Sequence, residues 1–376
     1  MKKRLGTITL AWLAAMLALV YATGGAFAAP AASAYSDAAG KALTWLSTQQ
    51  AADGSFAGFG AGSTVDAVLA IVAANGDPAA NASGGSSALS FLEANAGKIA
   101  ATAGGAGKLL TAVEALGQDG KAFGGVDLVG AINATYGISA TGQYGPDALG
   151  HAFAILGLHA AGEAVPAEAV TQLESLQSSD GGWAFSGDTT PGSADTNTTA
   201  IAVQALLAAG ASGAVLDKAS AYLAGQQNDD GGWPYQKGGD FGSESDVNST
   251  AYVVQAFVAL KNAALAEAGQ NFIAALQNAS GAFPYQKSQP DDNAGATYQA
   301  ITALLGATFL EPKVAAVVEG PTPAPAATAV TIPTAIPPTP GMPVTGAGAD
   351  WLPVGVLLAA LTLMAAGFAM RKSPAR

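Results

Sequence analysis

The chain has 376 residues, half of them hydrophobic and only 11% charged, and its 15 basic and 27 acidic residues give a net charge of −12. No basic stripe crosses its middle, which argues against nucleic acid as a partner, because neutralising phosphates needs clustered Lys and Arg. There is no cysteine, so disulfides, thiolate metal sites and a cysteine nucleophile are all excluded.

The N-terminus carries Met1-Lys-Lys-Arg4, an apolar run from Ile8 to Tyr21, and then Ala26-Phe-Ala28. A charged segment, an apolar segment and an Ala-x-Ala site predict a secretory signal peptide over residues 1–28. From 35 to 310, stretches of Ala, Leu and Val at helical spacing alternate with loops rich in Gly, Asp and Ser. The pattern predicts twelve helices, over 36–50, 64–75, 85–101, 106–117, 125–137, 146–161, 166–178, 196–209, 214–228, 247–262, 264–278 and 293–309. Some are apolar on every side, as in Thr198–Gly210 and Ser249–Leu260, and these belong inside. Others are amphipathic, as in Pro166–Gln177, with Pro and Glu in the first turn.

A phrase recurs between the helices: Gln177-Ser-Ser-Asp-Gly181-Gly-Trp183, Gln227-Asn-Asp-Asp-Gly231-Gly-Trp233 and Gln277-Asn-Ala-Ser-Gly281-Ala-Phe283, with a weaker copy from Gln50 to Phe56. Glycines 181, 231 and 281 are 50 residues apart, so one supersecondary unit is reused. Each copy follows an outer helix and precedes an inner one, which places all copies on one rim. Gln closes the outer helix, Gly supplies a positive-φ turn, and the aromatic packs between hairpins. The expected fold is all-α, an (α/α)6 toroid of six helical hairpins. Closure is preferred over an open solenoid because neither end shows a polar capping repeat. Gly and Ala on the inner faces are expected to keep the lumen from closing fully.

Residues 311–341, rich in Pro, Thr and Ala, predict an extended linker. The run Leu352–Met370 is long enough to span a bilayer as a helix, and the basic tail after it would stay on the cytoplasmic side. Just before the span, Met342, Pro343, Val344, Thr345 and Gly346 resemble the cell-wall sorting signal read by sortases, with Met342 in the place of Leu. The four expected segments are thus 1–28, 35–310, 311–341 and 342–376. Together they place the domain outside a bacterial cell, held to the wall or membrane by its C-terminus, with a sortase as a possible partner.

The Gln-x-x-x-Gly-x-Trp/Phe unit resembles the prenyltransferase and squalene-oxidase repeat of the α/α-toroid superfamily, which includes terpenoid cyclases, protein prenyltransferases, thioester domains and cobalamin carriers. The resemblance implies chemistry that can be tested by residue. Type II cyclases use an Asp-x-Asp-Asp cluster, which none of the acidic stretches around Asp195, Asp246 and Asp291 spells. A prenyltransferase zinc site and a thioester both need a cysteine, and a cobalamin carrier needs a second small domain. His151 and His159 lie two turns apart on one helix and do not suit one metal. No metal and no cofactor are expected.

Two repeated features remain on the rim. One is Asp-x-Asn before inner helices, at Asp195, Asp246 and Asp291, which suits helix capping. The other is aromatic: Trp183 and Trp233 end their phrases, and Tyr235 and Tyr285 follow in a Pro-Tyr-Gln-Lys tail that packing does not obviously require. The candidate ligand-binding residues are Trp183, Trp233, Tyr235, Tyr285, Asp195, Asp246, Asp291 and Asp292. The function expected is a surface-anchored, non-catalytic module that binds a glycan, isoprenoid or corrinoid-like ligand, or a surface partner, through this rim. The alternatives are a terpenoid-cyclase-like or polysaccharide-processing enzyme, and a structural or adhesion spacer.

Overall fold

The computed structural model describes residues 35–313, apart from 59, 81–83, 240 and 241. The signal peptide over 1–28, the sorting-like motif at 342–346, the apolar run to 370 and nearly all of the linker lie outside the described residues. Among the described residues no helix is long and apolar enough to cross a membrane.

Twelve helices are found there, in the expected order: α1 (Ser36–Thr48), α2 (Ala61–Ala73), α3 (Ala88–Ile99), α4 (Ala103–Ala115), α5 (Leu128–Asn133), α6 (Ala148–Ala160), α7 (Ala167–Ser175), α8 (Thr196–Ala208), α9 (Ala214–Gly225), α10 (Val247–Ala259), α11 (Ala263–Ala275) and α12 (Ala294–Leu304). The even-numbered helices form an inner ring. Each packs on the next, and α12 packs back on α2, so the toroid is closed. The odd-numbered helices lie outside, and α1 covers the seam by packing on both α12 and α2.

The division follows from composition. Ten of the thirteen residues of α8 are buried, whereas α7 buries only Ala169 and Leu173. On α9 the buried set is Leu216, Ala219, Tyr222 and Leu223, a single stripe at helical spacing. Five of the six inner helices begin with a capping side chain. Thr102, Asp147, Asp195, Asp246 and Asn293 each accept from the backbone N–H three residues on.

Two segments depart from the sequence expectation. The helix expected over 125–137 is only α5, because Asp127 caps it late and Gly137, at φ 71°, turns the chain away soon after its end. The helix expected over 293–309 stops at Leu304. Gly306 takes the left-handed conformation, at φ 70°. Its N–H bonds Ala303 O at 3.0 Å and the N–H of Ala307 bonds Thr302 O at 3.1 Å, the pairing of a Schellman stop. Residues 307–309 then turn inward and are buried.

The lumen also departs from expectation. Glycines do not hold it open; they let α4 and α6 meet backbone to backbone. A Cβ on Gly107 would lie 2.1 Å from Phe153 O, and one on Gly157 would lie 2.6 Å from Gly107 O. Any side chain there would force the two helices apart.

Candidate functional site

The repeated phrase is a joint. In each strong copy the Gln side chain donates to the carbonyl of its own glycine, at 2.9 Å for Gln177, 3.0 Å for Gln227 and 2.9 Å for Gln277. Gln177 also reaches Val215 O on the next outer helix, at 2.8 Å. The glycines have φ of 98°, 86° and 95°, and a Cβ on Gly181 would strike Lys218 O at 2.5 Å. The aromatic then pairs with the cap of the following inner helix: Asp195 N–H donates to Trp183 O, Asp246 N–H to Trp233 O, and Asn293 N–H to Phe283 O, at 2.9–3.0 Å. Its own N–H goes to a threonine four residues past the cap, at 2.9 Å for each of Thr199, Thr250 and Thr297.

Trp183 and Trp233 are fully buried, and their indole N–H groups are spent on Leu173 O and Leu223 O. Neither offers a ring face to a ligand, which corrects their place among the candidate binding residues. Burying such a ring contributes a few kcal/mol, the scale of a large core side chain.

Asp195 and Asp246 are buried at 2% exposure each and cap α8 and α10 through Oδ1, at 2.7 Å from Thr198 N and Ser249 N. The second oxygen of Asp195 accepts from Phe185 N at 3.1 Å, and Tyr235 donates its hydroxyl to the same carboxyl. Tyr235 N–H in turn points at Asp246. Burial pushes Asp195 up to about 6 and Asp246 up to about 7, against the hydrogen bonds that favour their charged forms. Burial, with Asp246 nearby, also raises the Tyr285 phenol. Asp195 thus has both oxygens engaged within the fold.

The Pro-Tyr-Gln-Lys tail is also explained by packing. Tyr235 O accepts from Thr196 N and Tyr285 O from Val247 N, at the first turn of the preceding inner helix. Gln236 donates to Gly192 O at 2.7 Å and to Ala194 O at 3.1 Å. Lys237 Nζ donates to Gln227 O at 3.0 Å. Asp292 is exposed yet ties its turn, accepting from Asn278 at 2.8 Å and Ser280 at 2.9 Å. Asp291 is exposed beside it. The rim therefore brings Tyr235 to Asp195 and Tyr285 toward Asp246, and leaves Asp291 outside that network.

A second polar cluster, missed by sequence reasoning, crosses the lumen. Asn248 donates to Gln299 at 2.9 Å, Gln299 donates to the Tyr252 hydroxyl at 3.1 Å, and Lys108 bonds both Tyr252 and Asp66. Lys108 and Asp66 keep 16% and 17% of their side-chain exposure. Burial alone would pull the Lys108 ammonium down, but Asp66 and Tyr252 together hold it above the ordinary lysine range. The sequence does carry a signal for this cluster: the one Asp of α2 and the one Lys of α4 stand at the same distance past their caps, in helices built mostly of small and apolar residues.

The lumen is filled by the chain itself. Phe309 enters from the end where the inner helices finish. Its ring meets Phe153 edge-on at 5.1 Å and stacks on Tyr252 at 6.1 Å, and Lys108 lies 6.0 Å from its centre. Its N–H donates to Gln204 Oε1 at 2.8 Å. The cavity left beside it has a volume of about 10 Å³ and is lined by Asp66, Gln255, Tyr298 and Gln299 among others. That is room for about one water.

Residues 149–317 match the family model of the prenyltransferase alpha-alpha toroid domain. A comparison with curated proteins found no match. Among solved structures, a type II terpene cyclase, MstE from Scytonema in complex with merosterolic acid A, is similar at a TM-score of 0.52 and 14% identity. A glycosidase in complex with glucose is similar at a TM-score of 0.51 and 15% identity. Each likeness covers 72% of this chain and 96% of the other. At these identities the likeness establishes the toroid fold, and with the family match it supports the superfamily that the repeats resemble.

In this toroid His151 is a structural residue. It stands four past the Asp147 cap, where Thr199 and Thr250 stand in their repeats, and its Nδ1 accepts from Tyr144 N at 3.1 Å. Its Nε2–H donates to Ala169 O at 3.0 Å, and burial lowers the imidazole to about 4. His159 is exposed in the last turn of the same helix.

Proposed function

We propose that the chain is an exported, surface-held toroid that recognises a partner or ligand through one rim and does not catalyse a reaction. The observation that carries this reading is the stitching of the loops over that rim. Gln236 ties the segment 234–239 to loop 184–194. Glu244 then accepts from Gln286 at 3.1 Å, from Ser288 N at 2.8 Å and from Ser288 Oγ at 2.6 Å, tying in loop 284–292. Three consecutive hairpins thus present one continuous polar surface whose ordering cost is met in the fold, which favours binding. A polar partner such as a wall glycan or a surface protein fits the rim better than an apolar one. Export and anchoring rest on the sequence of the two ends, with a sortase or the bilayer as the means of attachment.

The test is binding of the purified chain to insoluble wall polymer and to whole cells. Lys287→Glu, on the exposed part of the rim, should weaken that binding several-fold with the melting temperature unchanged. Undiminished binding would move recognition to another face. Turnover of a polyprenyl or glycan substrate by the unaltered chain would end the non-catalytic reading.

An enzyme reading keeps one specific feature in its favour, the two carboxyls that burial shifts upward toward neutral pH. Against it, both carboxyls are buried as helix caps and are bonded to backbone N–H groups.

A further inference from the structure

We propose that residues 305–313 are a removable plug, and that the lumen beneath them is a binding site for a neutral ring bearing hydroxyl groups. The segment is built as a separate piece. It begins at the Gly306 stop and closes on itself, with Thr308 N bonding Glu311 O at 3.0 Å and Glu311 N bonding Thr308 Oγ1 at 2.8 Å. Its hydrogen bond to the wall runs from Phe309 N to Gln204 Oε1. The rest of its hold is burial, of the Phe309 ring against Phe153 and Tyr252 and of Leu305, Ala307 and Thr308 beside it. A turn that satisfies its own backbone can leave without stranding polar groups of its own, so its local opening costs chiefly the apolar burial of Leu305, Ala307 and Phe309.

The wall it covers has a definite chemistry. Gln204 and Gln255 stand nine residues past their caps on adjacent inner helices, so they repeat the same position. Gln204 Oε1 accepts from the plug, whereas Gln255 Oε1 is buried with no hydrogen-bond partner, on a side chain only 2% exposed that lines the lumen cavity. With the plug gone, two carboxamide oxygens would lack donors. A buried acceptor left unpaired is costly, so the occupant that suits this wall must donate hydrogen bonds. Tyr252 presents a ring face to it and Phe153 makes an edge-to-face contact, which suits a ring with an apolar face. Lys108 is already neutralised by Asp66, so the site draws neither anion nor cation. A pyranose and a phenol share this chemistry, and the Phe309 ring occupies the place of either.

Phenol and methyl glucopyranoside serve as the two probes, titrated calorimetrically into the full chain and into its Phe309→Ala variant. Emptying the ring slot should tighten binding of one probe by about tenfold or more, because the plugged state no longer competes. Adding Gln255→Leu should abolish the gain. The identity of the responding probe separates a sugar site from an aromatic one. A folded Phe309→Ala variant that binds neither probe more tightly overturns the proposal. Because that variant can fail to fold, a second measurement uses the absence of native cysteine. Ala307→Cys, in the plug, should react with a thiol reagent on the order of a hundredfold faster than Ala202→Cys, buried in α8, if the plug opens without global unfolding. Equal rates overturn the proposal. Neither readout involves the rim loops or the tether, so a failure here leaves the proposed function standing, and the reverse also holds.

Discussion

Gln277 donates its side-chain amide to Ala38 O at 2.7 Å, joining the last hairpin to the first. The same contact runs between neighbouring hairpins from Gln177 to Val215, so the seam is made with the chemistry of an ordinary joint. Gln277→Leu removes this bond together with the one to Gly281 O. The loss should be about 1–3 kcal/mol for two hydrogen bonds, read from urea unfolding. Because the ring is closed, the transition should remain single. A new early phase confined to α1 would show instead that the seam is a weak edge.

The joints and the ring were legible in the sequence for a physical reason. A turn that needs positive φ selects Gly, a helix end that needs a carbonyl partner selects Gln, and a buried wedge selects Trp or Phe, so the repeat writes itself into residue types. Capping by Asp195 was legible only as one of two readings, because a cap and a ligand-binding carboxylate use the same residue, and the contacts of Tyr235 and Tyr285 with the two caps were not legible. The lumen was not legible either. Whether glycines at 107 and 157 open a tunnel or close it depends on which helix faces them, and that is a property of the assembled ring. Phe309 reads as the tail of α12 until the left-handed Gly306 is placed.

Asp246 supplies a pH prediction. Burial raises its carboxyl to about 7 in the folded chain, against an ordinary value near 4. A raised carboxyl stabilises the fold fully below the unfolded value, and that stability is lost as pH rises through about 7. Asn293 caps α12 with the same geometry, at 2.9 Å from Ala296 N, so Asp246→Asn keeps the cap and removes the titration. Relative to the unaltered chain, the variant should gain in melting temperature between pH 4 and pH 8. A difference that stays flat across that range would show that Asp246 does not hold its proton in the fold.

The Lys108–Asp66 pair should show the asymmetry of low-dielectric charge. Lys108→Met leaves Asp66 without its counter-ion and should cost roughly 3–5 kcal/mol. Adding Asp66→Leu should recover most of that loss, because two apolar residues of similar size replace the pair. Denaturant unfolding of the single and double variants checks it. A double variant no more stable than the single would mean that the wider network with Tyr252 and Gln299 carries the lumen.

His151 takes the place of a threonine, and exchanging it back separates its two bonds. His151→Thr should keep an acceptor for Tyr144 N, as Thr199 does for Trp183 N at 2.9 Å, and should lose the bond to Ala169 O. Near neutral pH the expected cost is about 1 kcal/mol for the lost bond, with a further penalty for the smaller side chain. The pH dependence runs opposite to that of Asp246. Burial depresses the imidazole to about 4 from 6.5, so its contribution is complete above about 6.5 and is lost as pH falls through about 4. The gap between His151→Thr and the unaltered chain should therefore narrow as the solution is acidified. Calorimetric melting at pH 7.5, 5.5 and 4 measures that gap. A gap that widens toward acid would mean that the folded chain holds His151 charged, which its acceptance from Tyr144 N forbids.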